Sequence, residues 1–292
     1  VLEHLILRMK EQDALFKRVY SRICGAGSYY DGLKVGKPEE FDMDIVIRLP
    51  INYEEVVIEN KSPIPAAFTK VKITRALDLL RQHPDWTTTY RFMDKWRNED
   101  GFLLQSEFRQ WMESVVNKAL NTLDKTEPNC YKLKIKEPNS SGRDSEYTLS
   151  LKKSGPALTF NIGILAHNVA VDVDFVPVIE FTYPKWPPHH VRKLDDQLIE
   201  AKRTSWFIVP KPRKTGKPDA TLWRLAFHEQ ERQMINDKGS LKPVCRLLKK
   251  LRDSRGLSIA SYYLKTLFLW EIDKQHRDPD FWKMRQGPLF MH

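Results

Sequence analysis

Five carboxylates of this 292-residue chain stand in two short apolar segments, spaced at every second position. In EEFDMDIVI, Glu40, Asp42 and Asp44 alternate with Phe41, Met43 and Ile45. In VAVDVDFVPV, Asp172 and Asp174 alternate with Val171, Val173 and Phe175. Side chains of a strand repeat every two residues, so each set shares one face. Carboxylates held that close resist ionising together unless a cation neutralises them. Two magnesium-type ions roughly 3.5–4 Å apart, each taking one or two carboxylates plus phosphate oxygens, remove the conflict. A single pair would be better explained as solvated acids of a half-exposed strand. Two sets together with the Gly-Ser corner at residues 25–28 favour metal chemistry. The spacing itself admits either Glu40 with Asp42 or Asp42 with Asp44.

A small-residue corner, Gly25-Ala26-Gly27-Ser28, precedes the first set by a dozen residues. Glycine lacks a Cβ and tolerates positive φ, so backbone N–H groups here can approach a phosphate closely. Ser28 adds a hydroxyl donor. A phosphate cradle, then metal-holding acids, then a third acid from a distant strand is the layout of a nucleotidyltransferase.

The elements that must position these residues follow from periodicity. Leu2, Leu5, Ile6, Met9, Leu15, Phe16, Val19 and Ile23 predict one long helix over residues 2–24, ending at the Gly-Ser corner. Alternation over 41–49, stopped by Pro50, predicts the strand of the first acids. VVIE and AFTKVKI read as further strands and 101–123 as a helix. YKLKIKE and EYTLSLKK form a hairpin with the tip PNSSGRDS; ALTFNIGI and VAVDVDFVPVIEF are two more strands. The proline-rich TYPKWPPHH marks a boundary, after which 222–236, 241–253 and 257–273 read as helices. The expectation is an α+β, bilobal molecule: a sheet-bearing lobe over 1–183 behind a long first helix, and a helical lobe over 184–292.

Composition restricts the functions available. Hydrophobic residues make up 41% and charged residues 29%, and no apolar run approaches the roughly 20 residues that span a bilayer. Three scattered cysteines, Cys24, Cys130 and Cys245, fit a reducing compartment and supply no cysteine-rich metal site; a cytoplasmic protein is expected. The net charge of +10 is uneven. Residues 1–181 hold 25 Lys and Arg against 26 Asp and Glu, whereas 182–292 hold 23 against 12. Lys211, Arg213, Lys214 and Lys217 form one basic cluster, and Arg246, Lys249, Lys250 and Arg252 another. A polyanionic partner follows as readily as a merely solvated face.

The segments GSYYDGLKVGKPEEFDMDIVI, VAVDVDFVPV, FIVPKP…TLWRLAFHEQE, CRLLKKLRD and SYYLKTLFLWE resemble, in order, those of cyclic GMP-AMP synthase and its animal relatives. These are the cGAS-like receptors and the wider male-abnormal group of nucleotidyltransferase-fold proteins. The resemblance runs over nearly the whole chain. It implies Glu40, Asp42 and Asp172 as the catalytic acids and ligands of two Mg²⁺ or Mn²⁺ ions. Phe41 fixes that register, with Asp44 a supporting acid. It implies Gly27 and Ser28 on the donor triphosphate, Arg224 on the acceptor purine and Glu231 in the nucleotide pocket. Lys250, Ser261 and Lys265 would hold donor phosphates and Tyr262 would stack on a base; Lys249 could replace Lys250 by a one-residue shift. Asp174 stands where the vertebrate DNA sensor has a base-contacting threonine.

That sensor carries a His-Cys-Cys-Cys zinc insertion between the Trp-Arg-Leu and CRLLKKL segments. Here the interval RQMINDKGSLKPV has neither Cys nor His, so no zinc is expected. Double-stranded RNA is then a better activator than DNA, and the product implied is a cyclic GMP-AMP-type dinucleotide made from ATP and GTP in innate immune signalling. A catalytically silent family scaffold and an RNA-activated oligoadenylate-type synthase are the alternatives.

Overall fold

The computed structural model describes residues 1–136, 144–154, 157–164, 169–189, 204–213, 216–236, 238–276, 278 and 280–292. Most of the expected hairpin tip, as well as His190 and Lys214, lies outside them.

The N-terminal periodicity builds two helices and a strand rather than one helix. α1 (Leu2–Gln12) buries Leu5, Ile6 and Met9; α2 (Ala14–Val19) buries Leu15, Phe16 and Val19. Asp13 separates them. Its backbone is extended, and its Oδ1 accepts a hydrogen bond from Phe16 N at 2.9 Å, capping the second helix. From Tyr20 the chain is strand, β1 (Tyr20–Ala26), and the four-residue α3 (Gly27–Tyr30) follows. The Gly-Ser corner is thus a strand-to-helix turn, not a helix end.

β2 (Glu40–Ile47) carries the first acids. Then come β3 (Val57–Glu59), β4 (Phe68–Lys72), α4 (Thr74–Arg81), α5 (Thr87–Asp94) and α6 (Gln105–Leu120). A run of strands follows: β5 (Asp124–Glu127), β6 (Cys130–Lys136), β7 (Asp144–Ser154), β8 (Ala157–Ile164), β9 (Val169–Thr182), β10 (Ser205–Val209) and β11 (Trp223–Ala226). The chain closes with α7 (His228–Asn236), α8 (Leu241–Ser254), α9 (Ser261–Lys274) and α10 (Gln286–Met291). Residues 222–226, expected as helix, are therefore mainly strand: Trp223 and Leu225 are buried while Arg224 and Ala226 are half-exposed, a period of two.

The strands lie in the order β3-β4-β11-β10-β9-β8-β7-β6-β5, with β2 hydrogen-bonded to β9 and β1 to β2. β9 is the hub. Its first half pairs antiparallel with β8 and its last residues with β10.

The chain forms two compact units. The first contains Val1–Cys24, Asp42–Lys193 and Ser205–Ala226; the second contains Gly25–Phe41 and Phe227–His292. A single division at 183/184 would separate β9 from β10, which are paired neighbours in one sheet. In the first unit α1 packs against α6. Trp223 is fully buried, its ring 5.4 Å from that of Phe108 and its Nε1–H donating to the Leu103 carbonyl at 2.9 Å. Fully burying a side chain of this size contributes on the order of 3 kcal/mol. In the second unit Leu33, Ile235, Leu241, Val244, Cys245, Ile272, Phe281, Trp282 and Leu289 form one cluster. Among the described residues no helix is long and apolar enough to cross a membrane.

Candidate active site

In the first unit the acids sit on paired strands. Asp42 is half-buried and Asp44 is buried at 7% exposure. Burial, and then the charge of Asp42 two residues away on the same face, together push the Asp44 carboxyl up to about 8. On β9, Asp172 is exposed and Asp174 half-buried. Each faces a donor directly opposite on β8: Asn161 Nδ2–H donates to Asp172 Oδ1 at 2.8 Å, and Thr159 Oγ1–H donates to Asp174 Oδ1 at 2.6 Å. These two β8 partners escaped the sequence reading, because strand pairing had to be known first. The donors available are carboxylate oxygens, the chemistry that Mg²⁺ and Mn²⁺ prefer over nitrogen or sulfur. That donor set fits the implied ions. Among the described residues no three His, Cys, Asp or Glu side chains are gathered into one metal cage. Arg224, on β11, is half-buried and lies in register with Val209 and Phe68 on the flanking strands.

The second unit holds Glu40 and the corner. Glu40 is exposed, with its Oε2 3.8 Å from Lys34 Nζ. Gly27 has φ +72°, the left-handed region that glycine enters without a Cβ penalty. A side chain at Gly25 would overlap the Tyr30 ring. The corner therefore tolerates little but glycine at both positions. Ser28 follows at the second position of α3, half-buried, and its carbonyl accepts from Leu33 N at 2.8 Å.

The remaining expected residues lie on the helices of the same unit. Lys249 is buried and donates to the Leu33 carbonyl at 3.0 Å, and burial pulls its ammonium below the ordinary lysine range. Lys250, next in the chain, is exposed. Ser261 opens α9, where its Oγ lies 2.9 Å from Arg252 Nη1, and Tyr262 is 48% exposed. Lys265 differs from the other cations. Its side chain is only 9% exposed, with Nζ 2.7 Å from Asp31 Oδ2 and 2.7 Å from Glu231 Oε2. Burial works against its charge, but Glu231 and Asp31 more than offset this and hold the ammonium above its usual range. The sequence reading missed Asp31 for want of a local signal: its partner Lys265 is 234 positions away.

Residues 29–237 match the model of the Mab-21 protein nucleotidyltransferase domain, and residues 240–291 that of the Mab-21 protein HhH/H2TH-like domain. Three insect proteins described as cyclic GMP-AMP synthase-like receptors align over the whole of this chain. They come from Tribolium castaneum (37% identical), Trichogramma pretiosum (33%) and Aethina tumida (35%). This chain spans 69%, 57% and 68% of their respective lengths. With its acids on paired strands, its glycine corner and this identity along its full length, the chain belongs to the Mab-21 family of nucleotidyltransferases.

Proposed function

We propose that this nucleotidyltransferase joins ATP and GTP into a cyclic dinucleotide of the cyclic GMP-AMP type and is activated by double-stranded RNA. The observation that carries the chemistry is the pairing of β2 with β9, which sets Asp42 and Asp44 on a strand beside that of Asp172 and Asp174. Glu40, Asp42 and Asp172 would hold two Mg²⁺ or Mn²⁺ ions, which when bound neutralise phosphate charge and polarise the α-phosphorus. Ser28 and the Gly27 N–H hold the donor triphosphate. Asp172 accepts the proton of the acceptor ribose hydroxyl; that oxygen bonds the α-phosphorus in line as the bond to pyrophosphate breaks. Asn161 keeps the Asp172 carboxylate oriented for that task. Arg224, Glu231 and Tyr262 recognise bases, and Lys250 and Ser261 the phosphates. A second transfer within the linear dinucleotide closes the ring.

The excess of cations over residues 182–292 supports a phosphate-backbone ligand. The interval 232–244 lacks Cys and His, which favours duplex RNA, read by A-form shape and 2′-hydroxyls, over DNA gripped through a zinc element. Incubating the protein with ATP, GTP and Mn²⁺, with and without long duplex RNA, and separating the products chromatographically tests the proposal. One cyclic dinucleotide whose yield rises with RNA is expected. A ladder of linear oligomers, or no product under any condition, would overturn it.

A further inference from the structure

Residues Gly25–Leu33 carry the glycine-serine corner, and cationic side chains from three helices of the second unit grip them. From α7, Arg232 Nη2–H donates to the Gly25 carbonyl at 2.6 Å. From α8, Arg246 donates to the Gly32 carbonyl through Nη2 at 2.6 Å and Nε at 2.9 Å, and Lys249 donates to the Leu33 carbonyl at 3.0 Å. From α9, Lys265 binds the Asp31 carboxylate at 2.7 Å, while Arg232 Nε stands 3.6 Å from its other oxygen. The grips differ in kind. Those on carbonyls would survive almost any side chain in the corner, whereas the last requires an acid at position 31. That acid is 1% exposed.

We propose that Asp31 is a positioning residue: through Lys265 its buried carboxylate fixes α3, and with it the Ser28 hydroxyl and Gly27 N–H that receive the donor phosphates. This rests on the proposed phosphate role of Ser28. A four-residue helix has too few internal bonds to set its own orientation, so an anchor at its C-terminal end decides where its first residues point. Lys265 then acts on the donor through Asp31. Drawing its ammonium off both carboxylates onto a triphosphate would strip the buried Asp31 of its 2.7 Å ion pair and leave it the more distant Arg232 Nε at 3.6 Å, a costly exchange for a buried charge.

The test is a double-mutant cycle on the full chain, with Asp31→Asn, Lys265→Met and the two combined. Asp31→Glu serves as the conservative variant and Ser28→Ala runs alongside. Two quantities are read: hydrogen exchange of the Asp31, Gly32 and Leu33 amides, which donate to the Gly27, Tyr29 and Ser28 carbonyls, and the donor KM. Asp31→Asn and Lys265→Met should each speed exchange at these amides by about tenfold or more and raise donor KM, with Asp31→Glu recovering part of both. The combined variant should be no worse than Lys265→Met alone, which already breaks the Asp31 contact that Asp31→Asn breaks, and the Glu231 ion pair besides. Unchanged exchange in Asp31→Asn would overturn the proposal. So would additive KM effects, which would put Lys265 on the donor itself. Ser28→Ala separates the two failures. If it leaves donor KM unchanged, the phosphate reading falls; if it raises KM and Asp31→Asn does not, the positioning role falls.

Discussion

At Asp44 the electrostatics of the acidic strand become measurable. Its carboxyl is buried and sits beside Asp42, and the two effects raise it from 3.8 to about 8. An acid raised on folding stabilises fully below its unfolded value and loses that contribution as pH climbs to the folded one. Metal-free protein should therefore lose stability from this group between about pH 4 and pH 8, and no more above that. Asp44→Asn keeps the shape, lacks the proton to lose, and should flatten this part of the curve. Chemical denaturation of both proteins at pH 5, 6, 7 and 8 checks it: their stability difference should shift steadily in favour of the variant, and a constant difference would contradict the buried acid. The spacing in the sequence showed that Asp42 and Asp44 share a face. It could not show how deep each lies, because depth is set by the strands on either side.

At the scale of elements, long runs with one clean period were legible and short ones beside them were not. β2, β9 and α6 stand where alternation or helical spacing places them, give or take a few residues. β11 was hidden because its four residues lead almost directly into α7: Trp223, Leu225 and Phe227 alternate with period two, but over a window too short to stand apart from the helix that follows. The first helix was overextended for a related reason: Leu15, Phe16 and Val19 continue the apolar spacing of α1, while the break depends on one capping acid, Asp13. The corner was legible as a site for glycine, but its geometry, a strand turning into a helix at φ +72°, was not. That geometry makes its own prediction. Gly27→Ala should cost about 1–2 kcal/mol of stability for a side chain in the left-handed region and raise donor KM as the N–H turns away. A melting curve and steady-state kinetics measure both; an unperturbed variant would mean the positive φ is not needed.

For the whole molecule, the net charge and the metal-binding acids separate along the sequence. The net positive charge lies beyond residue 181, while Asp42, Asp44, Asp172 and Asp174 lie before it. Removing cations from the 211–217 segment should therefore weaken a polyanion without touching catalysis. In the variant Arg213→Ala with Lys217→Ala, both exposed positions, duplex RNA affinity should fall. Each lost phosphate contact should flatten the log–log salt dependence by about 0.7–0.9, and saturating RNA should restore the rate. Fluorescent RNA titrated at several salt concentrations reads this directly, and an unchanged slope would move the binding surface elsewhere. The claim beneath all of this is that the β2 and β9 acids carry metal-dependent nucleotidyl transfer. Turnover of ATP and GTP by Glu40→Ala with Asp42→Ala, measured beside wild type in Mn²⁺, tests it most directly. The expected result is product at background, with a metal-free melting temperature equal to or above that of wild type because like charges have been removed. Turnover at the wild-type rate would contradict the account.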